Sequence, residues 1–383
     1  MLIAVIGALL FAASVAALAA GVLPVDDALA IGDRVWPILV FVVAMTVVAE
    51  LAARAGLFDV IAAFFSRWAG GRTWLLWLLV VALGVFTTAF LSLDTTAVLL
   101  TPVVVVMARS SGLPPFPFAL TTVWLANTAS LVLPISNLTN LLAMHPLGFT
   151  TAWPFIGLLG GAAAVAIILP VVVIAVLYRQ VLRSPHTRTP PPQVSDRPLL
   201  RVVSVVVVLL LPALVSGVPP WIPTTVAAAI LIAVYAVRAP RALRLGLVPW
   251  GLLLFAGGLF LAVGTLEALG SGAVVSAIAG DGDGLGGLLQ MAGVGMLGAN
   301  AVNNLPAYLA IESSASSPTS LAALLIGVNA GPLITPWASL ATLLWHDRLV
   351  KMGVEVRWSR FVLLGLVVAP LTVGLSTLAL ALG

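Results

Sequence analysis

The sequence predicts an all-α polytopic membrane protein, on three observations: its composition, its long uncharged runs and an internal repeat. Of its 383 residues, 62% are apolar and 8% are charged, against ~25% charged in a typical soluble domain. At about 20 residues per crossing, this apolar content allows about ten to twelve transmembrane helices. The composition excludes a soluble enzyme and a nucleic-acid-binding protein, and the absence of cysteine excludes disulfides and thiolate metal sites.

Uncharged runs indicate which parts of the chain lie in the membrane. Residues 110–178 and 202–237 contain no Asp, Glu, Lys or Arg, and two further runs are interrupted only by Asp94 and by Glu312. Residues 1–22 are apolar and carry no basic residues, which predicts a first transmembrane helix rather than a cleaved signal. The expected location is the inner (cytoplasmic) membrane of the cell, with several passes through the lipid bilayer.

Charged residues between these runs predict the orientation. Basic residues cluster in the proline-rich linker 179–201, in 238–244 and in 348–360, and the positive-inside rule places these three segments in the cytoplasm. The acidic loops 23–34 and 280–284 are then expected on the outer side. Anchoring of helix ends by these basic residues accounts for the net charge of +4.

Two segments, 56–69 and 268–280, are too short to assign, and both a crossing and an interfacial position stay open for them. The remaining boundaries divide the chain into a first transmembrane helix with an outer loop, a first repeat, a cytoplasmic linker, a pair of transmembrane helices and a second repeat. The corresponding ranges are 1–35, 36–178, 179–201, 202–244 and 245–383.

Two polar stretches recur at corresponding places in the two halves. Asn127 and Asn329 each precede a proline by seven residues, and each half has a polar break in an apolar run, at 92–96 and at 300–306. Matching interruptions in two halves are typical of the binding site of a secondary transporter. The first copy is expected to begin outside and the second inside, which predicts an inverted-topology repeat.

Polar side chains at these breaks are candidate substrate ligands. A helix that is broken inside the bilayer leaves backbone groups unpaired, and these are tolerated in a protein-lined cavity, where they can bind a substrate or an ion. The alternative for any one of these side chains is hydrogen bonding between helices. The candidate substrate-binding residues are Asn127, Ser130, Ser136, Asn137, Asn303, Asn304, Asn329, Thr335 and Ser339.

Asp94 is the candidate proton-coupling residue. A charge at the bilayer centre costs ~2.5–3.5 kcal/mol on insertion scales, and such residues usually mark ion or proton paths. No Arg or Lys lies near Asp94 in the sequence to neutralise it. The alternative role is that of a carboxylate that caps a half-helix. No catalytic pair, metal motif or nucleotide-binding motif is visible, so we expect no enzyme activity and no cofactor, and an ion gradient must drive any pumping.

Four stretches of the sequence resemble the ArsB-type arsenite efflux permeases of the ion transporter superfamily. These permeases are related to the NhaD-type sodium/proton antiporters and to the dicarboxylate transporters. The resemblance covers most of the chain from about 36 to 382. The matching stretches are 90–102, 127–140, 303–306 and 331–345.

The resemblance implies two re-entrant hairpins, at about 90–112 and about 300–317. It also implies two discontinuous helices, at about 117–143 and about 319–345. The sequence departs from the family at Leu93, where the first hairpin usually carries an Asn, and this removes one polar ligand.

The function that this resemblance implies is proton-coupled efflux of arsenite and antimonite. Arsenite is a neutral trihydroxide at neutral pH, so it needs hydrogen bonds rather than a fixed cation, and the polar breaks offer amides and hydroxyls without Lys or Arg. The alternative is a sodium/proton antiporter or an organic-anion carrier of the dicarboxylate type on the same fold. Expected partners are arsenite or antimonite, protons and lipid; docking of an ATPase subunit stays open, and no nucleic acid is expected.

Overall fold

The computed structural model describes residues 2–187, 196–270, 278 and 282–383. Within these ranges the regular elements are helical, apart from one isolated β-bridge between Arg72 and Pro185. The all-α prediction is therefore confirmed. Parts of the predicted linker 179–201, of the segment 268–280 and of the loop 280–284 lie outside the described residues.

Eight helices of the described ranges are long and apolar enough to cross a membrane, and three shorter helices are also apolar. The helices are α1 (Leu2–Ala19), α2 (Val25–Arg54), α3 (Leu57–Trp68), α4 (Thr73–Leu91), α5 (Leu93–Ser110), α6 (Pro115–Thr128), α7 (Leu138–Ala143), α8 (Ala152–Leu177), α9 (Arg179–Arg183), α10 (Arg197–Val215), α11 (Trp221–Arg238), α12 (Trp250–Ala268), α13 (Leu285–Val302), α14 (Asn304–Glu312), α15 (Pro318–Ala330), α16 (Leu340–Lys351) and α17 (Trp358–Leu382).

Two expectations about short segments are settled by these boundaries. The acidic loop predicted at 23–34 is wrong in extent, because α2 begins at Val25 and carries Asp26 and Asp27 in its first turn. Carboxylates are favoured there by the positive end of the helix dipole. The helix α3 has 12 residues, about 18 Å at 1.5 Å per residue. It is too short to cross a hydrocarbon core of about 30 Å.

The three basic segments lie at one end of the bundle, as the predicted orientation requires. Side chains and backbone of these segments contact one another and the neighbouring helix ends; the pairs are Arg54 with Ala242, Arg109 with Gly353, Arg238 with Asp196, and Arg360 with the ring of Tyr178. Hydrogen bonds from Arg238 hold the pKa of Asp196 below its usual value. We call this the basic end.

Contacts between other helices hold the opposite end of the bundle together. Arg34 of α2 forms an ion pair with Glu312 at the end of α14 and donates a hydrogen bond of 3.1 Å to the carbonyl of Leu142 in α7. Trp36 and Trp221 pack edge to face with ring centroids 5.2 Å apart. Glu312 therefore lies at the end of the bundle opposite to the basic end.

The helices α4 and α5 form an antiparallel pair that is joined at Ser92. The hydroxyl of Thr73, at the start of α4, donates a hydrogen bond to the carbonyl of Ser184, and the amide of Thr187 donates one to the carbonyl of Ser111, just after α5. The two ends of the pair that are far from Ser92 therefore both lie at the basic end. The hairpin boundaries predicted at 90–112 are wrong, because helical structure continues from Leu93 to Ser110 and the first arm precedes Ser92.

The helices α13 and α14 form a second antiparallel pair, which is joined at Asn303. Asp283, before α13, accepts a hydrogen bond from Ser317, after α14, so the ends of this pair also lie together. The boundaries predicted at 300–317 include only the second arm. Among the non-glycine residues that the structure describes, Ser92 and Asn303 alone have a positive φ, of 86° and 104°. The chain reverses sharply at both places.

Two further helix pairs are interrupted near the middle of the bundle. The helix α6 ends at Thr128, two 3₁₀ turns follow, and α7 begins at Leu138. We call residues 129–137 break 1. The helix α15 ends at Ala330 and α16 begins at Leu340. We call residues 331–339 break 2. Pro134 and Pro336 lie inside the breaks, where their missing N–H groups cannot continue a helix.

Small residues let α17 approach the backbone of break 2. A Cβ atom at Gly365 would lie 2.1 Å from the carbonyl oxygen of Leu333 and 2.7 Å from Cα of Ile334. Gly327 of α15 packs equally closely on α13, with a Cβ position 2.2 Å from the carbonyl oxygen of Ala292. These contacts fix α15 and break 2 against α13 and α17.

We expect Gly365→Ala to lower the free energy of unfolding by about 1–3 kcal/mol, because the added methyl group overlaps backbone that cannot move aside. The measurement is the thermal midpoint of the protein purified in detergent. Gly374→Ala is the matched control, since it lies on the same helix and its Cβ would meet no atom within 4 Å. An equal loss of stability in both variants would contradict this account of the packing.

Candidate functional site

Four helices begin near the middle of the bundle, and each begins with a polar N-cap residue. The cap side chain accepts a hydrogen bond from a backbone N–H of the first turn, at 3.2–3.4 Å. Such caps satisfy donors that the start of a helix leaves unpaired. The four caps are Ser92, Asn137, Asn303 and Ser339.

Asn140 satisfies the backbone that break 1 leaves unpaired. Its Nδ2 donates hydrogen bonds to the carbonyl oxygens of Ser130, at 2.6 Å, and Leu133, at 3.0 Å. The hydroxyl of Ser130 in turn donates to the carbonyl oxygen of Asn127 at 2.6 Å. All three side chains are buried. The carbonyl groups of Ser130 and Leu133 are therefore already occupied by protein donors.

Asn300 has the same role at break 2. Its Oδ1 accepts hydrogen bonds from the amides of Ile334, at 3.2 Å, and Thr335, at 3.0 Å, while its Nδ2 donates to the carbonyl of Gly331 at 2.9 Å. The hydroxyl of Thr335 donates to the carbonyl of Asn300 at 2.8 Å. One amide side chain thus replaces three helical hydrogen bonds that the break removes.

These two asparagines change the interpretation of the breaks. Sequence reasoning treated freed backbone groups as candidate ligands, whereas the structure pairs many of them with amide side chains. Neither Asn140 nor Asn300 was among the predicted site residues. The available signal was that each is an amide in an apolar run next to a break, a place where burial is expensive unless every polar atom is paired.

Asn329 connects the two halves of the protein. Its Oδ1 accepts hydrogen bonds from Nδ2 of Asn137, at 2.7 Å, and from the hydroxyl of Thr139, at 2.8 Å, and its Nδ2 donates to Oδ1 of Asn140 at 2.6 Å. The four side chains are at most 4% exposed. This amide cluster fixes α15 of the second half against break 1 and α7 of the first half.

The two helix junctions rest on the two breaks. Ser136, in break 1, donates a hydrogen bond of 2.9 Å to the carbonyl of Ala89, near the end of α4. At the other junction, Nδ2 of Asn303 and the amide of Asn304 donate hydrogen bonds of 2.9 Å to carbonyl groups of break 2. Ser136, Asn303 and Asn304 therefore hold backbone in place in this structure.

Asp94 is the second residue of α5 and lies on the wall between two cavities. The larger cavity has a volume of about 290 Å³ and reaches Pro249 and Gly251, at the start of α12. We call it the basic-end cavity. The smaller one, of about 30 Å³, is also lined by Ser92 and Asn137. The structure thus brings two of the predicted site residues, Asp94 and Asn137, together at the smaller cavity.

Asp94 is a carboxylate without a compensating partner. Its Oδ1 is buried and has no hydrogen-bond partner among the described residues. None of the ion pairs within the described ranges includes Asp94. The alternative that Asp94 caps a half-helix does not match the structure, because Ser92 provides the cap.

Asn127 contrasts with Asn329, its counterpart in the repeated sequence. Nδ2 of Asn127 donates to the carbonyl of Val123 in its own helix at 2.9 Å, and its Oδ1 is buried without a hydrogen-bond partner. Ser339, the counterpart of Asn137, forms a hydrogen bond of 3.0 Å with Thr342. The amide oxygen of Asn127 is thus free to accept a hydrogen bond, whereas that of Asn329 is fully used.

Comparison with known proteins gives consistent matches over nearly the whole chain. The model of the CitMHS family, described as a citrate transporter, matches residues 1–318. The arsenical pump membrane protein of Yersinia enterocolitica is 30% identical over 394 residues, which cover 96% of this chain and 91% of that protein. A protein of the same name from Escherichia coli is 29% identical over 399 residues, covering 96% and 92%.

A solved structure also has a similar fold. The crystal structure of the Alcanivorax borkumensis YdaH transporter matches with a TM-score of 0.53 and 17% sequence identity. The match covers 90% of this chain and 85% of the YdaH chain. At this identity the likeness concerns the arrangement of the helices alone.

We expect Asn300→Ala to destabilise the protein strongly and Asn127→Ala to do so weakly. The first change leaves the backbone amides of Ile334 and Thr335 in break 2 without their partner, at about 1–3 kcal/mol for each buried group. The second removes a donor to a carbonyl within its own helix and deletes an oxygen that has no partner. Thermal unfolding of the two purified variants in detergent measures the difference. A larger loss in Asn127→Ala than in Asn300→Ala would contradict the assignment of Asn300.

Proposed function

This chain belongs to the citrate transporter family and to the family of arsenical pump membrane proteins, and on that basis we propose that it exports arsenite and antimonite in exchange for protons. It is a multi-pass protein of the cell membrane. The name of its relatives refers to arsenical transport. The coupling ion and the substrate of this chain are the content of the proposal.

The observation that carries the proposal is the chemistry around Asp94. The residues that line its two cavities include no Lys or Arg. An anionic substrate would lose its hydration there without gaining a compensating charge, which is costly. A neutral trihydroxide needs hydrogen-bond donors and acceptors instead. Asp94 and Asn137 line the smaller cavity, and Asn127 has an unpartnered amide oxygen; we assign these three residues to the substrate and proton sites.

The role of Asp94 in coupling follows from its isolation. With no neighbouring cation, gaining or losing a proton changes the net charge of the cavity wall by one unit. The proton enters from outside on Asp94 and leaves to the cytoplasm, and arsenite moves the other way. One proton moving down ~100 mV supplies about 2.3 kcal/mol. At 1.4 kcal/mol per factor of ten, this sustains roughly a fifty-fold gradient of a neutral solute.

We assign the inverted repeat and its broken elements as the transport core. The helix pairs α4–α5 and α13–α14 act as re-entrant hairpins, and α6–α7 and α15–α16 as discontinuous helices. Support comes from the positive φ at both junctions, from the four N-caps and from the opposite ends at which the two pairs open. The remaining candidate residues then hold the shape of the site; they are Ser130, Ser136, Asn303, Asn304, Asn329, Thr335 and Ser339.

Sodium/proton exchange is the second candidate function. The unpartnered oxygens Asp94 Oδ1 and Asn127 Oδ1 are hard ligands, which suit Na⁺ as well as they suit a hydroxyl donor. Transport of an organic tricarboxylate such as citrate is disfavoured, because the described cavity linings lack a cation to balance its charge. The two candidate functions predict different phenotypes: the first changes the tolerance of cells to arsenite and antimonite, and the second changes their tolerance to sodium or lithium.

We expect cells that express this protein to tolerate more arsenite and antimonite and no more arsenate. In everted membrane vesicles, an imposed proton gradient should drive arsenite accumulation, and Asp94→Asn should abolish that drive, since the amide keeps the shape and cannot titrate. Asp59→Asn is the control, because Asp59 lies on the short helix α3 and lines neither cavity.

Two results would overturn this proposal. Proton-driven accumulation that is equal in Asp94→Asn and in the unaltered protein would remove Asp94 from the coupling step. Altered tolerance to sodium or lithium, with arsenite sensitivity unchanged, would replace arsenite export by sodium/proton exchange.

A further inference from the structure

A second carboxylate, Glu50, lies on the wall of the basic-end cavity together with Asp94. The other polar side chains of the lining are Thr46 and Thr95, and the remainder is apolar. Thr46 and Glu50 are one turn apart on α2 and therefore share a face. Thr46 lines the basic-end cavity and the smaller cavity next to it. The helix α2 thus presents a polar strip that leads from the basic end towards Asp94.

Glu50 is held in position by the basic end. Its Oε1 accepts hydrogen bonds from Nε, at 3.2 Å, and Nη2, at 3.1 Å, of Arg54. Arg54 is fixed in turn by a hydrogen bond of 2.8 Å from Nη1 to the carbonyl of Ala242. The side chain of Glu50 is 32% exposed. Its Oε2 forms no hydrogen bond with the described residues and is free to meet water in the cavity.

Few other titratable groups face Glu50 from the elements around it. Arg54 is its partner on α2, and Asp94 faces the same cavity from α5. On α11, Tyr235 is buried and donates its hydroxyl to the carbonyl of Leu51 at 2.7 Å. The residues that α12 and α16 contribute to the lining, together with Pro249 before α12, cannot titrate; they are Pro249, Gly251, Leu252, Leu340 and Leu344.

We propose that Glu50 is the relay through which the proton on Asp94 reaches the cytoplasm. This inference rests on the proposed proton-coupled function. The proton leaves the carboxyl group of Asp94, crosses water in the cavity, is accepted at Oε2 of the Glu50 carboxylate and passes to bulk water. Glu50 thereby returns to its carboxylate form, and Asp94 is left as a carboxylate that takes up the next proton from the outside. The cavity volume of about 290 Å³ holds several water molecules.

The position of Glu50 suits this role better than substrate binding. Oε2 of Glu50 is an unpartnered proton acceptor at the mouth of a cavity with apolar walls, while Arg54 offsets the charge of the carboxylate through Oε1. A neutral trihydroxide does not need this charge pair for binding. Glu50 therefore acts on the rate of proton release and leaves substrate affinity to the residues around Asp94, which makes it a positioning residue for the proton.

The test uses everted vesicles, in which the cytoplasmic face is accessible from the medium. Arsenite uptake and proton movement, the latter followed with a pH-sensitive dye, are measured for the full-length protein and for Glu50→Gln. We expect kcat to fall at least about tenfold, the scale on which positioned proton-transfer groups contribute, with an unchanged KM for arsenite. Glu50→Asp, which keeps a carboxylate, and added formate, a diffusible proton carrier, should each restore turnover.

Asp347→Asn is the matched control, since Asp347 also forms an ion pair with a base four residues along its helix and lines neither cavity. Full turnover in Glu50→Gln would overturn the relay. A loss that neither Glu50→Asp nor formate restores would also overturn it, because it would reveal a structural role in anchoring Arg54. If the unaltered protein moves no protons with arsenite, the proposed function itself fails, whatever Glu50 does.

Discussion

The structure depends on pairing the backbone groups that two helix breaks expose inside an apolar bundle. Water cannot satisfy these groups there, so each unpaired one costs free energy. Asn140 and Asn300 meet this constraint with single amide side chains that bind backbone groups within each break. Because these hydrogen bonds are internal, the breaks can persist as ordered turns. The ordered breaks in turn fix the positions of the helix junctions at Ser92 and Asn303.

The same amides make the two halves unequal. Both polar atoms of the Asn329 side chain form hydrogen bonds, with Asn137, Thr139 and Asn140. These bonds hold the second half against break 1. Asn127, at the corresponding place in the first half, retains an unpartnered oxygen. The first half also carries Asp94, where the second has the apolar Leu305 two residues after its junction. Of these corresponding polar positions, those in the second half are thus paired or apolar, whereas Asp94 and Asn127 of the first half keep an unpartnered oxygen.

The two ends of the bundle also differ in their contacts and cavities. At the basic end, a cavity leads from Glu50 to Asp94, and no described Lys or Arg lines it. At the other end, Arg34 ties α2 to α7 and α14 through Leu142 and Glu312. In the described conformation a cavity thus leads to Asp94 from the basic end. Arg34 lies between α2 and the broken elements, so any separation of these elements at its own end would have to break its ion pair.

The sequence alone predicts the all-α membrane class, the clustering of the basic segments at one end and the family, because composition, charge placement and motif spacing act locally along the chain. It also indicates the polar residues around both breaks, including Asp94. Contacts between remote segments were needed to define the boundaries of the helix pairs, the pairing of Asn329 with Asn137, the structural role of Asn140 and Asn300, and the position of Glu50 on the cavity of Asp94. A sequence does not show whether the polar atoms of an amide side chain are paired or free. Only the distances between remote segments distinguish a paired amide from a free one.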